Sequence, residues 1–279
     1  MVRNLMKAGF ELHIYARTRS KVEDVISEGA QFHESIKDCV QDCDAVITIV
    51  GFPQDVEEVY FDEGNILDSA KEGAYLIDMT TTSPQIAEKI YEEGTKRGFH
   101  VMDAPVTGGD TGAKAGTLSI LVGGEKEDYE ACMPLFEAMG TNINYQGKAG
   151  CGQHCKLANQ IMIAGTLSGV CEALTYAKEQ GLDPEVFMKS VATGAAGSKQ
   201  LDTFGPKILK DDYAPGFFMK HFIKDMKLAL IEANRKGLSL DVLSMVLANY
   251  EELEQEGYGD LGTQALMKFY DEEHRNTEE

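Results

Sequence analysis

Lys156 is the side chain best placed in this sequence for proton transfer. It lies in Gly150-Cys151-Gly152-Gln153-His154-Cys155-Lys156-Leu157-Ala158-Asn159-Gln160, where glycines open a helix and the lysine falls within its first turns. A lysine is ordinarily a solvated surface charge. This one is flanked by Leu157, Ala158, Ile161 and Ala164, an apolar setting that aims it into a cleft between two domains. There the helix dipole and partial desolvation both lower the pKa of an ammonium, as a group that gives and takes a proton near neutrality requires. Asn159 and Gln160 follow at i+3 and i+4, on the neighbouring surface of the helix. His154 falls roughly opposite Lys156 and is a poor partner for it.

The second chemical stretch is DAPVTGGDTGAKAGTLSILVGG, Asp103 to Gly124. A strand empties into Thr107-Gly108-Gly109, and Gly112 and Gly116 follow, so bare backbone amides can approach an anion closely. That chemistry suits a carboxylate. Lys156 and this glycine loop together describe a site that holds a small acid by one end and moves a proton at the other.

The elements around them divide into two kinds. From Glu11 to about Gly147, short apolar strands (ELHIYAR, DAVITIV, AYLIDMT, HVMDAP, LSILVGG, NINYQG) alternate with amphipathic helices (SKVEDVISEGA, QDVEEVYF, SPQIAEKIYEEGTKRG, EKEDYEACMPLFEAMG). This alternation predicts βαβ units and a mostly parallel sheet covered on both faces. Beyond Gly152 the strand signal stops, and helices are expected over His154 to Gln180, Pro184 to Ala192, Phe218 to Arg235, Val242 to Glu256 and Thr263 to Tyr270, before an acidic tail, DEEHRNTEE. The expected fold is an α/β Rossmann-like dinucleotide-binding domain over residues 1–147, followed by an all-α domain over residues 148–279 for substrate and self-association.

Two strand ends bear on a nucleotide. At Ala16-Arg17-Thr18-Arg19-Ser20-Lys21, arginine with a hydroxyl can hold a 2′-phosphate, where an acidic residue would take a free ribose hydroxyl. In a chain this acidic, three cations in five residues favour NADP over NAD. At Asp78-Met79-Thr80-Thr81-Thr82-Ser83-Pro84, Thr82 or Ser83 caps the next helix while another threonine faces the ligand. Lys224 and Asp225 sit mid-helix in FFMKHFIKDMKLAL with Lys220 one turn earlier, and spacing alone leaves a surface role and a ligand role equally open.

Composition narrows the partners. The net charge of -20, from 46 acidic and 26 basic residues, repels nucleic acid and anionic membranes. No signal peptide and no apolar run of membrane-spanning length is evident, so a cytoplasmic protein is expected. Cys39 with Cys43, and Cys151 with Cys155, are spaced i,i+4, unlike a zinc knuckle or a redox motif, and no metal site is expected. The apolar helices of the second half predict a homodimer or homotetramer.

At DAPVTGGDTGAKAGTL, GCGQHCKLANQ and, more weakly, ARTR, DMTTTSP and the later KD, the chain resembles the β-hydroxyacid dehydrogenase family. That family includes 3-hydroxyisobutyrate dehydrogenase, tartronate semialdehyde reductase and the glyoxylate or succinic semialdehyde reductases. The resemblance covers essentially the whole sequence. It implies an NAD(P)-dependent oxidoreductase interconverting a small β-hydroxy acid and its semialdehyde, with Lys156 as the catalytic acid/base. Thr107, Gly108 and Gly109 would bind the substrate carboxylate with help from Asn159 or Gln160. Arg17 and Thr18 would contact the adenosine ribose or its phosphate, and Val50, Thr81 and Lys224 the nicotinamide side. The family's amide four residues after the lysine is asparagine, whereas Gln160 stands there with Asn159 before it. Ile49-Val50-Gly51-Phe52-Pro53 also departs from the family pattern. The family opens with a strand and a glycine-rich turn ahead of the equivalent of MVRNL, so a dinucleotide-binding domain truncated by about 15 to 20 residues is expected. The alternative that this departure implies is a cofactor-binding sensor or an inactive truncated member.

Overall fold

The computed structural model describes residues 1–270; the acidic tail and His274 lie outside the described residues. By internal packing these divide into two compact units, Met1–Lys156 and Leu157 onward.

The first unit is built on strands β1 His13–Ile14, β2 Gln31–Phe32, β3 Ala45–Thr48, β4 Tyr75–Asp78, β5 His100–Asp103, β6 Val106–Thr107, β7 Leu118–Gly124 and β8 Gly140–Gly147. Each of the six expected strands is present. The additional β2 and β6 have two residues each, too few to show a period. The large sheet runs β3-β4-β5-β7-β6 with β8 on β7, while β1 and β2 form a separate parallel pair. β3, β4 and β5 are parallel, and β8 is parallel to β7, but β7 runs antiparallel to both β5 and β6. The sheet is mostly parallel, as expected, and β7 is the exception. β5 and β6 follow one another in a single register along β7, from Met102 opposite Gly124 to Thr107 opposite Ser119, and the link from β6 to β7, residues 108–117, is shorter than a parallel crossover needs, so β7 turns back antiparallel.

Both faces of the sheet are covered, as alternate residues of its central strands show. Leu76 and Val101 pack on one face with Val56, Tyr60, Ile66 and Ile90, whereas Ile77 and Met102 pack on the other with Leu5, Phe136 and Met139. The covering helices are α1 Val2–Lys7, α2 Glu23–Ser27, α3 Ile36–Val40, α4 Pro53–Phe61, α5 Ile66–Ser69, α6 Pro84–Lys96, α7 Gly109–Ala115, α8 Lys126–Ala131 and α9 Met133–Met139. The single helix expected over EKEDYEACMPLFEAMG is in fact α8 and α9, split at Cys132. Pro134, in the first turn of α9, has no amide to continue a helix through that point.

The second unit is helical. α10 Cys151–Glu179 begins in the first unit and continues into the second, where α11 Pro184–Val191, α12 Lys199–Ile208, α13 Met219–Arg235 and α14 Asp241–Gln255 follow. The residue pattern holds little sign of α12 because Gly205 and Pro206 read as breakers, yet both lie inside it. Residues Thr263–Tyr270 form a 3-10 helix rather than an α-helix. Leu167, Leu174, Phe222, Met226, Val246 and Tyr250 make the core, with the Phe222 ring edge-on to Tyr250 at 5.4 Å and the Tyr250 hydroxyl donating to the Thr263 carbonyl at 2.7 Å. Contrary to expectation, α10 is long and apolar enough to span a membrane by length and composition. Leu157, Ala164, Leu167, Val170, Cys171 and Leu174 of this helix are nevertheless part of the helical core.

Candidate active site

The start of α10 is fastened to the sheet by one carboxylate. Asp103 ends β5 after three largely apolar residues, and its Oδ1 accepts from the Gly150 amide and its Oδ2 from the Gln153 amide, each at 2.8 Å. These amides are orphan donors of the helix start, and a carboxylate is a strong acceptor for them. Burial pushes the Asp103 carboxyl above its ordinary pKa, against the pull of those two amides. The approach is close enough to require glycine: a Cβ on Gly152 would lie 2.3 Å from the Leu121 carbonyl oxygen and 2.7 Å from that of Asp103. Lys156, one turn beyond Gln153, is buried with 7% of its surface exposed.

A second buried carboxylate stands beside the first. Asp78 ends β4 in register with Asp103 on β5. Its Oδ1 accepts from the Thr48 hydroxyl at 2.8 Å and the Thr80 amide at 3.1 Å, and Tyr60 lies 3.1 Å from that same Thr48 hydroxyl. Burial pushes the Asp78 pKa up to about 6. Asp78 Oδ2 and the hydroxyl of fully buried Thr82 have no hydrogen-bond partner among the described residues. Of the two expected caps for α6 it is Ser83 that acts, accepting from the Gln85 amide at 3.2 Å. Thr81 is half-buried between β4 and α6, and Val50, past the end of β3, donates its amide to the Thr80 hydroxyl at 2.9 Å.

The glycine stretch is more ordered than a loop. Thr107 belongs to β6 and pairs with Ser119 of β7; Gly108 then precedes α7 with φ of 130°, and Gly109 opens it with φ of 65°. Both values favour residues without a Cβ. Gly108 and Gly109 are exposed and Thr107 half-buried, which leaves this backbone open to a ligand.

At the basic strand end both arginines are paired with carboxylates. Arg17 is exposed but is held by Asp55 of α4 at 2.6 Å, which raises its pKa further. Arg19 pairs with Glu23 and Glu34, both at 3.1 Å, and stacks over Phe32. Thr18 is exposed, and its side chain does not cap the short 3-10 turn Arg19–Lys21. A phosphate here meets an arginine already paired, and exchange is inexpensive because exposed ion pairs are weak.

In the second unit, a polar chain joins two helices. The Asn159 amide donates to Gln160 Oε1 at 2.8 Å, Gln160 Nε2 donates to Asp225 Oδ2 at 2.6 Å, and Lys224 Nζ lies 3.0 Å from Asp225 Oδ1. Gln160 and Asp225 are buried and the Lys224 side chain nearly so, whereas Lys220 turns to Asp260. Lys224 is therefore not a plain surface lysine. Gln160 has both ends of its amide in use, which makes it a structural link.

Gln153, Asp103 and Asp78 are not among the site residues expected from the sequence. A usable signal was present: YLID and HVMD each finish an apolar strand on one carboxylate. All six cysteines are free, and burial pushes Cys39 and Cys132 up to about 12, which keeps them thiols. The polar groups left bare at the carboxyl end of β4 suit a nucleotide, since open α/β sheets bind ligands outside their strand ends.

Known proteins share the fold and much of the sequence of this chain. Residues 1–147 match the NAD binding domain of 6-phosphogluconate dehydrogenase, and residues 150–270 match the NAD-binding domain of NADP-dependent 3-hydroxyisobutyrate dehydrogenase. The chain is 48% identical to the uncharacterized oxidoreductase YkwC of Bacillus subtilis, over 97% of this chain and 94% of that one. It is 44% identical to the probable mitochondrial 3-hydroxyisobutyrate dehydrogenase-like protein 1 of Arabidopsis thaliana, over 96% of this chain and 80% of that one. Among solved structures, 3-hydroxyisobutyrate dehydrogenase of Mycobacterium tuberculosis with L-serine superposes with a TM-score of 0.88 at 25% identity, covering 97% of this chain and 94% of that one.

Proposed function

Since this chain belongs to the β-hydroxyacid dehydrogenase family, we propose that it interconverts a small β-hydroxy acid and its semialdehyde, with Lys156 as the proton-transferring group and NADP as the preferred coenzyme. The observation that carries the reading is the burial of Lys156 on a helix start bound directly to the sheet through Asp103 and Gln153. A lysine confined there loses water and part of its freedom, both of which suit a general acid more than a surface charge.

The backbone of Thr107, Gly108 and Gly109 holds the substrate carboxylate, and binding energy from this non-reacting end orients the carbon that reacts. The nicotinamide coenzyme, when bound, supplies or accepts the hydride. Lys156 in its ammonium form donates to the developing alkoxide in reduction; as a neutral amine it takes the hydroxyl proton in oxidation. Thr81 and the Val50 backbone would face the nicotinamide, and Arg17 with Thr18 the adenosine end. The L-serine bound by the mycobacterial relative has the same layout, a hydroxyl on the carbon next to the one bearing the acid's carboxylate. The second unit, with its exposed Met162, Tyr176, Val242 and Met245, supports a homo-oligomer.

Lys156→Ala tests the reading. A folded variant should lose about 10²- to 10⁴-fold in turnover on short semialdehyde acids, the usual worth of a general acid. A loss below about tenfold refutes the assignment.

A further inference from the structure

Gln153 is completely buried, yet it ends in an amide. Both ends of that amide are used: Nε2 donates to the Thr80 carbonyl at 2.7 Å, and Oε1 accepts from the Thr82 amide at 3.0 Å. The two backbone groups flank Thr81, just past the end of β4, and they are the pair that an adjacent strand would take up. A side chain from a helix here does the work of a strand. The same residue's own amide donates to Asp103 at the end of β5, so Gln153 is tied to two neighbouring strand ends at once. A residue that only filled space at this depth would be apolar, since a buried amide is tolerated only when it is fully bonded.

Lys156 follows Gln153 by three residues, one turn along α10 and on the same side of the helix. We propose that Gln153 is a positioning residue that sets the separation between Thr81 and the Lys156 ammonium, and so the alignment of coenzyme and proton donor. It touches neither substrate nor coenzyme and acts through the residues it holds. The inference rests on the proton-transfer role of Lys156 proposed above. A displacement of about 1 Å at reacting groups costs about 10²-fold in rate, so a short rigid clamp at this point matters.

Three variants and one exchange measurement test it. Gln153→Met keeps the volume and loses both bonds; kcat should fall about 10- to 100-fold, while KM for the acid substrate changes less than about threefold. Gln153→Glu is the conservative rescue. Protonated, its carboxyl offers the same donor and acceptor; ionised, it loses the donor and sets a charge against the Thr80 carbonyl oxygen. The titratable neighbours are Asp103 on β5, Asp78 in register on β4, His154 next on the helix and Lys156 one turn along it; burial and the two carboxylates hold the new acid protonated to higher pH, against the pull of the Lys156 ammonium. Relative to wild type, kcat of Gln153→Glu should be near normal at about pH 5.5 and fall about tenfold by about pH 8. A role in stability alone would lower the melting temperature and leave the kcat of the folded fraction unmoved.

Wild-type kcat within about twofold in Gln153→Met, or a Gln153→Glu profile parallel to wild type, overturns the inference. Lys156→Ala run alongside separates the two readings: loss of turnover there with none in Gln153→Met defeats this inference only. Should Lys156→Ala retain turnover, the reading of Lys156 fails and this inference with it; should the wild-type chain show none, hydrogen exchange at the Thr82 amide decides. Exchange about tenfold or more faster in Gln153→Met supports the clamp, and unchanged exchange overturns it.

Discussion

Two glycine-to-alanine changes in one helix should shift stability in opposite directions. In Gly152→Ala the new Cβ would meet the carbonyl oxygen of Leu121 at 2.3 Å, that of Asp103 at 2.7 Å and Asp103 Oδ2 at 2.8 Å. Ordinary contact needs about 3.5 Å, so a separation of about 1 Å must be found. Two of the three atoms belong to the backbone of sheet strands and cannot retreat, so the start of α10 has to lift. Lifting stretches the bonds from the Gly150 and Gln153 amides to Asp103, each worth about 1.5 to 3 kcal/mol when the acceptor is charged, and adds about 1 to 3 kcal/mol of overpacking. Against this, alanine gains at most about 1 kcal/mol over glycine in a helix. The net loss is about 3 kcal/mol or more, which lowers the urea midpoint by about 1 to 3 M. Gly169, farther along α10 and exposed, has nothing within 4 Å of the place a methyl group would take, so Gly169→Ala should raise the midpoint through helix propensity alone. Urea unfolding followed by circular dichroism compares both with wild type. A Gly152→Ala midpoint within about 0.3 M of wild type would refute the close packing of this helix start, and a lowered one for Gly169→Ala the open space around that position.

Other consequences are as direct. Asp78 has its pKa raised from 3.8 to about 6 by burial, so its contribution to stability is fully present below about pH 3.8 and is lost as the pH rises through about 6. Asp78→Asn should therefore remove about 3 kcal/mol from the change in unfolding free energy between about pH 4 and pH 8, and an unaltered pH dependence in chemical denaturation would count against this. Asp55→Asn frees Arg17 from its carboxylate partner and should tighten NADPH more than NADH in a fluorescence titration; equal effects on the two would remove Arg17 from the 2′-phosphate. Gln160→Met strips a donor from fully buried Asp225 and should cost about 1 to 3 kcal/mol, visible as a lower melting temperature of the helical unit.

Much of the fold was legible in the order of the residues. Strands such as AVIT and YLID are apolar on both faces, and a doubly covered sheet follows; after Gly152 the three-and-four spacing leaves room only for helices. The elements that escaped notice are those without a period, the two-residue β2 and β6, or those written in breakers, such as α12 with Pro206 inside it. At the site, Lys156 was legible as a lysine set among apolar neighbours at a helix start. The glycine stretch was legible as bare backbone, but not as β6 followed by α7.

What the sequence determined, then, is the periodic: which segments are strand or helix, which faces are apolar, and where glycines let the backbone come close. These depend on neighbours a few residues away, and such neighbours are written side by side. Only the tertiary structure decided who bonds to whom. Gln153 meets Thr80 and Thr82 across 73 and 71 residues, Asp103 takes amides 47 and 50 residues away, and Arg17 finds Asp55 at a separation of 38. Each of these partners has the right chemistry for several others in the chain. Strand register and the docking of a helix end select one of them, because a buried polar group keeps its place only where a complementary group is brought within about 3 Å.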